Sequence, residues 1–595
     1  MRVFVWVLLM LSLSLLGACS GGASSSNSAA SIPNVIPVNP TDPGKIYLNQ
    51  IGYLPGAQKM AVLSGVTAKT FKILEANTQK EVFSGTIPAA ALWQAAQEQL
   101  SLLDFSALRQ VGEYWLQVDG TELKAKIVIS QDAYPTLNDA ALKAFYFQRA
   151  STALLPAFAG VYQRALGHPD TEVRIHSSAA TALRPAGTLI AAPAGWYDAG
   201  DYNKYVVNSG ISTYSLLAAY ERFPQFLKDR QLNIPESADA VPDVLNEVMW
   251  NLTWLLAMQD PNDGGVYHKL TSAQFSGFVM PSQDTSARFV VQKTTAASLD
   301  FAAVMAMASR LYQPYASNYP GMSEKMRKAA IEAYSWAKAN RQIAYQQPSD
   351  IQTGQYGDED FSDEFLWAST ELFLATDDAQ YYAGIDFSHA NVDVPSWGGV
   401  RSLAWMSLAF HLDRLKSVAD QNQVQQALRG TAQSLTTKKK SSALGVSMDE
   451  ADFVWGSNSQ AMNQAVILLS AFQMDRTQGD WLAAAQALFD YVLGRNPNQM
   501  SFVTGFGTRS PRLIHHRPSA ADGIDAPIPG FLVGGPTLAD RNDCGASAYP
   551  SALPAKSYLD AMCSYSTNEV AINWNAALVF VSTGLIVMSP VGVGQ

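Results

Sequence analysis

The chain has 595 residues, with 41 Lys and Arg against 51 Asp and Glu, a formal net charge of −10. Charged residues make up 15% and aromatics 10%, which excludes a disordered chain; the length exceeds one ordinary core, so at least two units are expected. No basic run provides a footprint for nucleic acid, and acidity of this size serves mainly solubility.

Residues 1–19 read as a signal peptide: Arg2 is the only charge, and the apolar run from Val3 to Leu16 is too short for a comfortable membrane span. Leu16-Gly17-Ala18-Cys19 resembles the lipobox of bacterial lipoproteins, in which the Cys is lipidated. That resemblance implies an exported protein anchored in a membrane, on the outer-membrane or periplasmic side or extracellular; an ordinary secretory signal with an incidental Cys is the alternative. Residues 20–43, rich in Ser, Gly, Ala, Asn and Pro, read as a flexible linker. Beyond it no apolar run is long enough for a transmembrane helix. Export permits a bond between the remaining cysteines, Cys544 and Cys563, and geometry decides it.

Residues 44–131 carry short β-like runs such as Met60-Ala61-Val62-Leu63 and Tyr114-Trp115-Leu116-Gln117-Val118, separated by turn residues, and predict a small all-β sandwich. Across residues 132–595 the period changes. Val244, Leu245, Val248, Met249, Leu252, Leu255 and Leu256 recur at helical spacing, as do apolar positions in 301–311, 365–374, 403–410, 461–472 and 482–493. Roughly eleven or twelve such segments predict a large all-α domain with long functional loops.

Three segments carry the candidate chemistry. In Trp196-Tyr197-Asp198-Ala199-Gly200-Asp201-Tyr202, two carboxylates three apart in a Gly-containing loop can face one water and perturb each other, although Asp is also common in turns and caps. In Ile514-His515-His516-Arg517, the imidazoles and the guanidinium fork suit sugar hydroxyls. Adjacent His residues without a third ligand argue against a metal there. Glu569 precedes Asn573-Trp574-Asn575 and an apolar helix; alone, it could merely favour the helix dipole.

All three segments closely resemble glycoside hydrolase family 9, the family of many cellulases. Tyr558, Asp560, Tyr565, Glu569, Ala571, Asn575 and Ala576 fall on one of its signatures, and Asn49-Gln50-Ile51-Gly52-Tyr53-Leu54-Pro55 resembles the immunoglobulin-like domain of one branch. The resemblance implies an (α/α)6 barrel behind an immunoglobulin-like sandwich. It implies inverting hydrolysis of β-1,4-glucosidic bonds, in endo fashion, with Glu569 as general acid, Asp201 as general base, Asp198 holding the water, and His515 and Arg517 gripping the sugar beside the cleaved bond. Trp196, Trp455 and Tyr565 are candidate stacking platforms. An exo-acting family member on cello-oligosaccharides or glucosamine oligomers, and a non-catalytic glucan-binding lipoprotein, are the alternatives. The expected partner is a β-glucan, and the chain is expected to act as a monomer.

No cofactor is required for this chemistry. Branch members often hold a structural zinc through Cys and His around the catalytic Asp pair. Residues 161–205 contain no Cys, so no zinc is expected. Asp360, Asp363 and Glu364, before a helix, suit a structural calcium of the kind relatives hold nearby, or equally a solvated acidic cap.

Overall fold

The computed structural model of the protein describes residues 44–590. Cys19 and the linker lie outside the described residues.

Two four-stranded sheets face each other near the N-terminus, in the orders β1-β2-β6-β5 and β4-β3-β7-β8. The strands are β1 (Lys45–Tyr47), β2 (Met60–Ser64), β3 (Thr70–Glu75), β4 (Glu81–Thr86), β5 (Ala91–Trp93), β6 (Glu98–Asp104), β7 (Gly112–Val118) and β8 (Lys124–Ile129). Alternation places Phe71 and Ile73, Leu116 and Val118, and Ile127 and Ile129 in the interior with Leu63, Leu103 and Phe105. This is the sandwich the strand pattern predicts.

Among the described residues, twelve of the helices then alternate between two rings. They are α1 (Pro135–Gln148), α2 (Val206–Arg222), α3 (Asp243–Ala257), α4 (Thr295–Leu311), α5 (Met322–Ala339), α6 (Ser362–Thr376), α7 (Ala379–Tyr382), α8 (Arg401–Phe410), α9 (Val418–Ser441), α10 (Ser457–Met474), α11 (Gly479–Val492) and α12 (Ile572–Met588). The even-numbered helices close a ring in which each packs on the next and α12 returns to α2; the odd-numbered helices pack outside it. Composition sorts them. α12 is buried on every side from Ile572 to Leu585, whereas α9 buries only the stripe Val424, Leu428, Ala432, Leu435 and Thr436. In α4, Ala296, Ala297, Ala302, Ala303, Ala306 and Ala308 are all buried, so neighbouring helices approach closely. Among the described residues no helix is long and apolar enough to cross a membrane.

The sandwich is fastened to the barrel by the Asn49–Pro55 segment. Asn49 Nδ2 donates to Asp490 Oδ1 of α11 at 2.9 Å, and the Gln50 amide donates to the Leu493 carbonyl at 2.9 Å. Gly494 takes φ +124° beneath Gln50, where a Cβ would meet the Gln50 side chain at 2.7 Å. A small sheet in the barrel loops holds β9 (Val173–Ile175), β10 (Leu189–Ile190), β11 (Lys204–Tyr205), β12 (Lys269–Ser272) and β13 (Arg288–Val290). It fixes the loops entering α2 and α4.

Candidate active site

The segments entering the inner helices open into a single cleft of about 920 Å3. Asp198, Asp201 and Tyr205 come from the loop before α2, Phe275 from the loop before α4, and Tyr356 from that before α6. Trp397 precedes α8, Trp455 precedes α10, and Glu569 precedes α12; His515, Arg517 and Tyr565 complete the wall.

The three motif segments are knitted by backbone. The Arg517 amide donates to Gly200 O at 3.0 Å, the His515 amide to Asn568 O at 2.9 Å, and the Ile572 amide to Asp198 O at 2.9 Å. The Gly200 amide donates to Glu569 Oε1 at 3.3 Å. Both Gly195 and Gly200 suit unusual backbone angles on sequence grounds, and Gly195 takes φ +81°. Gly200 is needed for space: a Cβ there would lie 2.0 Å from His515 O and 3.1 Å from Glu569 Oε1.

Glu569 is held well above the usual carboxylate range by burial and then by the charge of Asp201, against the pull of Arg517. It therefore carries a proton when Asp201 is ionised. Asp198 is pushed up to about 7 by burial and the Asp201 charge, offset by donors from Tyr356 and Asn208. Tyr356 Oη donates to Asp198 Oδ2 at 2.6 Å, and Asn208 Nδ2 to Asp198 Oδ1 at 2.7 Å. Asp201 is raised by burial, but less freely, because Arg517 and the Asn203 amide groups favour its charged form. Asn203 Nδ2 donates to Asp201 Oδ2; its Oδ1 is held by the Ser272 amide at 3.0 Å and Thr271 Oγ1 at 3.0 Å.

His515 Nδ1 donates to Met562 O at 2.7 Å. Burial lowers the imidazole's pKa, so the neutral ring presents Nε2 as an acceptor. Arg517 Nη1 donates to Gly200 O at 2.9 Å and Nε to Ser276 O at 2.8 Å. Trp455 and Tyr565 stack at 5.6 Å with their planes 26° apart, and Tyr565 meets His515 edge-on at 5.8 Å.

Trp196 is a correction. It is only 1% exposed, packs on Phe145 at 4.8 Å and donates Nε1 to Glu247 at 2.8 Å, so it belongs to the core beneath the loop. Sequence reasoning missed Tyr356, Asn208 and Asn203. Tyr356 has φ +51° in a loop with no motif. Asn208 lies in the first turn of the helix that starts at Val206, beyond the Asp198–Asp201 motif.

Cys544 and Cys563 are bonded, closing the loop that delivers Met562 O to His515. The loop before Asp198 is pinned by a buried ionic group. Asp170 pairs with Lys204 at 2.8 Å and Arg288 at 3.2 Å; beside it His168 Nε2 lies 3.2 Å from Asp284 Oδ2, with the imidazole pKa lowered by burial. The acidic cluster differs from expectation. Asp360 is exposed, accepting the Ser362 amide at 3.0 Å at the start of α6. Its place is taken by Asp300, both of whose carboxylate oxygens are buried without a hydrogen-bond partner, as is Glu364 Oε2. Asp300 is raised by burial and then by the charges of Asp363 and Asp358, and Glu364 by burial and then by those of Asp300, Asp363 and Asp358. Among the described residues no group of three or more His, Cys, Asp or Glu side chains is placed to hold a metal ion; Asp300, Asp358, Asp363 and Glu364 nevertheless supply carboxylates, the donor type a hard dication takes.

Residues 134–582 match the glycosyl hydrolase family 9 profile, and residues 41–122 the cellulase N-terminal ig-like domain. The chain is 41% identical over 91% of its length to the xyloglucan-specific endo-beta-1,4-glucanase BoGH9A of Bacteroides ovatus, covering 93% of that protein. It is 31% identical to endoglucanase D of Acetivibrio thermocellus, over 91% of this chain and 83% of that one. A solved structure of a Bacteroides ovatus GH9 protein superposes with a TM-score of 0.85 at 40% identity, covering 92% of this chain and 99% of the other.

Proposed function

This chain belongs to glycosyl hydrolase family 9, and on that premise we propose that it is an inverting endo-β-1,4-glucanase. Glu569 protonates the glycosidic oxygen. Asp201 takes a proton from water on the opposite face of the ring, Asp198 orients that water, and His515 and Arg517 hold the sugar. The observation that carries this reading is the placement of Asp198, Asp201 and Glu569 in one cleft: Glu569 is raised well above the usual range by burial and the charge of Asp201, while Asp201, also raised by burial, has the Asn203 donors to favour its ionised form. Two carboxyls pushed apart in this way are the acid and base of one reaction.

The name of the Bacteroides ovatus relative supports xyloglucan as the first polymer to test beside cellulose derivatives. Asp300, Asp358, Asp363 and Glu364 are the residues that would hold a structural calcium, whose charge would neutralise them without entering the chemistry. The lipobox resemblance supports tethering to a membrane through Cys19.

Product analysis on a panel of soluble β-glucans tests the reading. A fast viscosity loss relative to reducing-end release, with inverted product, is expected; release of a single short product without viscosity loss would replace endo by exo action. Cys19→Ser is expected to move the protein from the membrane to the soluble fraction without loss of activity.

A further inference from the structure

Among the described residues, four aromatic side chains are exposed by more than a third: Phe275 at 48%, Phe278 at 38%, Trp455 at 40% and Tyr565 at 37%. All four gather at one place. Trp455 and Tyr565 were candidates from their motifs; Phe275 and Phe278 belong to none of the three catalytic segments and sit between β12 and β13. Phe275 lines the cleft with the three carboxylates. The Arg517 guanidinium carbon lies 5.6 Å from the Phe275 ring and 5.6 Å from the Phe278 ring. Phe278 also meets His515 edge-on at 5.2 Å. His515 thus stands between two aromatic groups, Tyr565 with Trp455 on one side and Phe278 with Arg517 and Phe275 on the other.

An exposed Phe loses apolar area to water for nothing unless something covers it. The loop that carries the ring is tied down: the Ser276 carbonyl accepts from Arg517 Nε, and the Val279 carbonyl accepts from Tyr202 Oη at 2.6 Å. The face a pyranose presents is apolar and flat, and a rigid aromatic beside a sugar-gripping arginine is its natural partner. We propose that Phe275 is a stacking platform for a further glucose unit of the β-1,4-glucan chain, beyond the ring held by His515 and Arg517, and that Phe278 is the positioning residue that holds those two side chains. This inference rests on the glucanase reading and deepens it: it makes the loop between β12 and β13 a determinant of the chain length the enzyme prefers.

The test uses the full chain and the series cellotriose to cellohexaose, with xyloglucan oligosaccharides in parallel. Phe275→Ala is expected to lower kcat/KM on the hexamer roughly threefold to tenfold, carried by KM, with a smaller loss at each shorter length. Phe275→Tyr restores it. Phe278→Ala acts through His515 and Arg517 and lowers kcat/KM at every length alike. Melting temperatures of the Phe275 variants should match the wild type, since the side chain is half exposed. An equal loss at all lengths for Phe275→Ala, or no loss on the hexamer, overturns the platform while leaving the glucanase reading intact. A wild-type protein inert on both series overturns the reading itself.

Discussion

The backbone amide of Gly200 donates to Glu569 Oε1 at 3.3 Å, so the loop that carries the base also holds the acid. One hydrogen bond thus ties catalytic segments 369 positions apart in the chain. Gly200→Ala is expected to push Glu569 and the His515 carbonyl outward and to lower kcat by at least tenfold. Glu569→Gln should reduce turnover of natural glucans by roughly 10²- to 10⁴-fold and spare substrates with very acidic leaving groups, which need less protonation. Steady-state rates on a polymer and on an activated aryl glycoside decide it. Equal losses on both substrates would remove Glu569 from the acid role.

Asp198 accepts from Tyr356 and Asn208, and both donors favour its ionised form. Tyr356→Phe removes one of them, so the pKa of Asp198 rises above about 7. The acid limb of the kcat/KM profile, where activity is lost as pH falls, is then expected to move to higher pH. Asp201→Ala should cost several orders of magnitude, partly recovered by azide, and Asp198→Ala less. A Tyr356→Phe profile that keeps its acid limb in place would show that Asp198 is not the group titrating there.

Arg517 lowers the pKa of both Asp201 and Glu569. Removing its charge raises both, so Arg517→Met is expected to shift the acid limb and the alkaline limb upward together. Arg517→Lys keeps a charge but loses the fork that reaches Gly200 O and Ser276 O. Its profile should stay close to the wild type while KM rises several-fold. A profile unmoved in Arg517→Met would place the guanidinium too far from the carboxylates to govern them.

Much of this site is legible in the chain itself, because the reaction needs carboxylates and Asp198, Asp201 and Glu569 sit in dense local patterns. The fold is legible too: short β-like runs between turn residues mark the sandwich, and the helical period beyond Asp132 follows from buried helix faces. What cannot be read is direction and company. Trp196 stands two residues before Asp198, yet the strand-like backbone turns its ring inward to Glu247. Tyr356 reaches Asp198 across 158 positions, and no local pattern announces such a partner. Asp300 lies mid-helix among alanines, so its company with Glu364 emerges only once α4 and α6 pack together.

The Cys544–Cys563 bond closes a loop of sequence separation 19. Asp543, next to it, accepts the Ser566 amide at 2.9 Å, and Met562 O fixes the His515 tautomer. Replacing both cysteines by Ser is expected to lower stability by about 3 kcal/mol through the freed unfolded chain. KM should also rise more than kcat falls, because His515 loses its orienting carbonyl. Denaturant titration and steady-state kinetics read the two effects separately. Unchanged KM would confine the bond to stability.

Asp300 and Glu364 place three unpartnered buried carboxylate oxygens near Asp363 and Asp358. With no cation, such a group must keep protons that neutral water would take. A bound calcium would remove the cost, and by mass action would stabilise the fold by about 2.7 kcal/mol at about 100 times its dissociation constant. Chelation is therefore expected to lower Tm and calcium to restore it, with no change in the chemistry. Asp300→Asn should abolish the calcium-dependent rise while leaving the Tm of the chelated protein close to that of the wild type. Asp360→Asn, at the exposed start of α6, should keep the rise intact. Elemental analysis of the purified protein completes the test. A melt indifferent to chelator with no calcium bound removes the calcium site, and one zinc per chain would overturn the expectation drawn from the missing cysteines of residues 161–205.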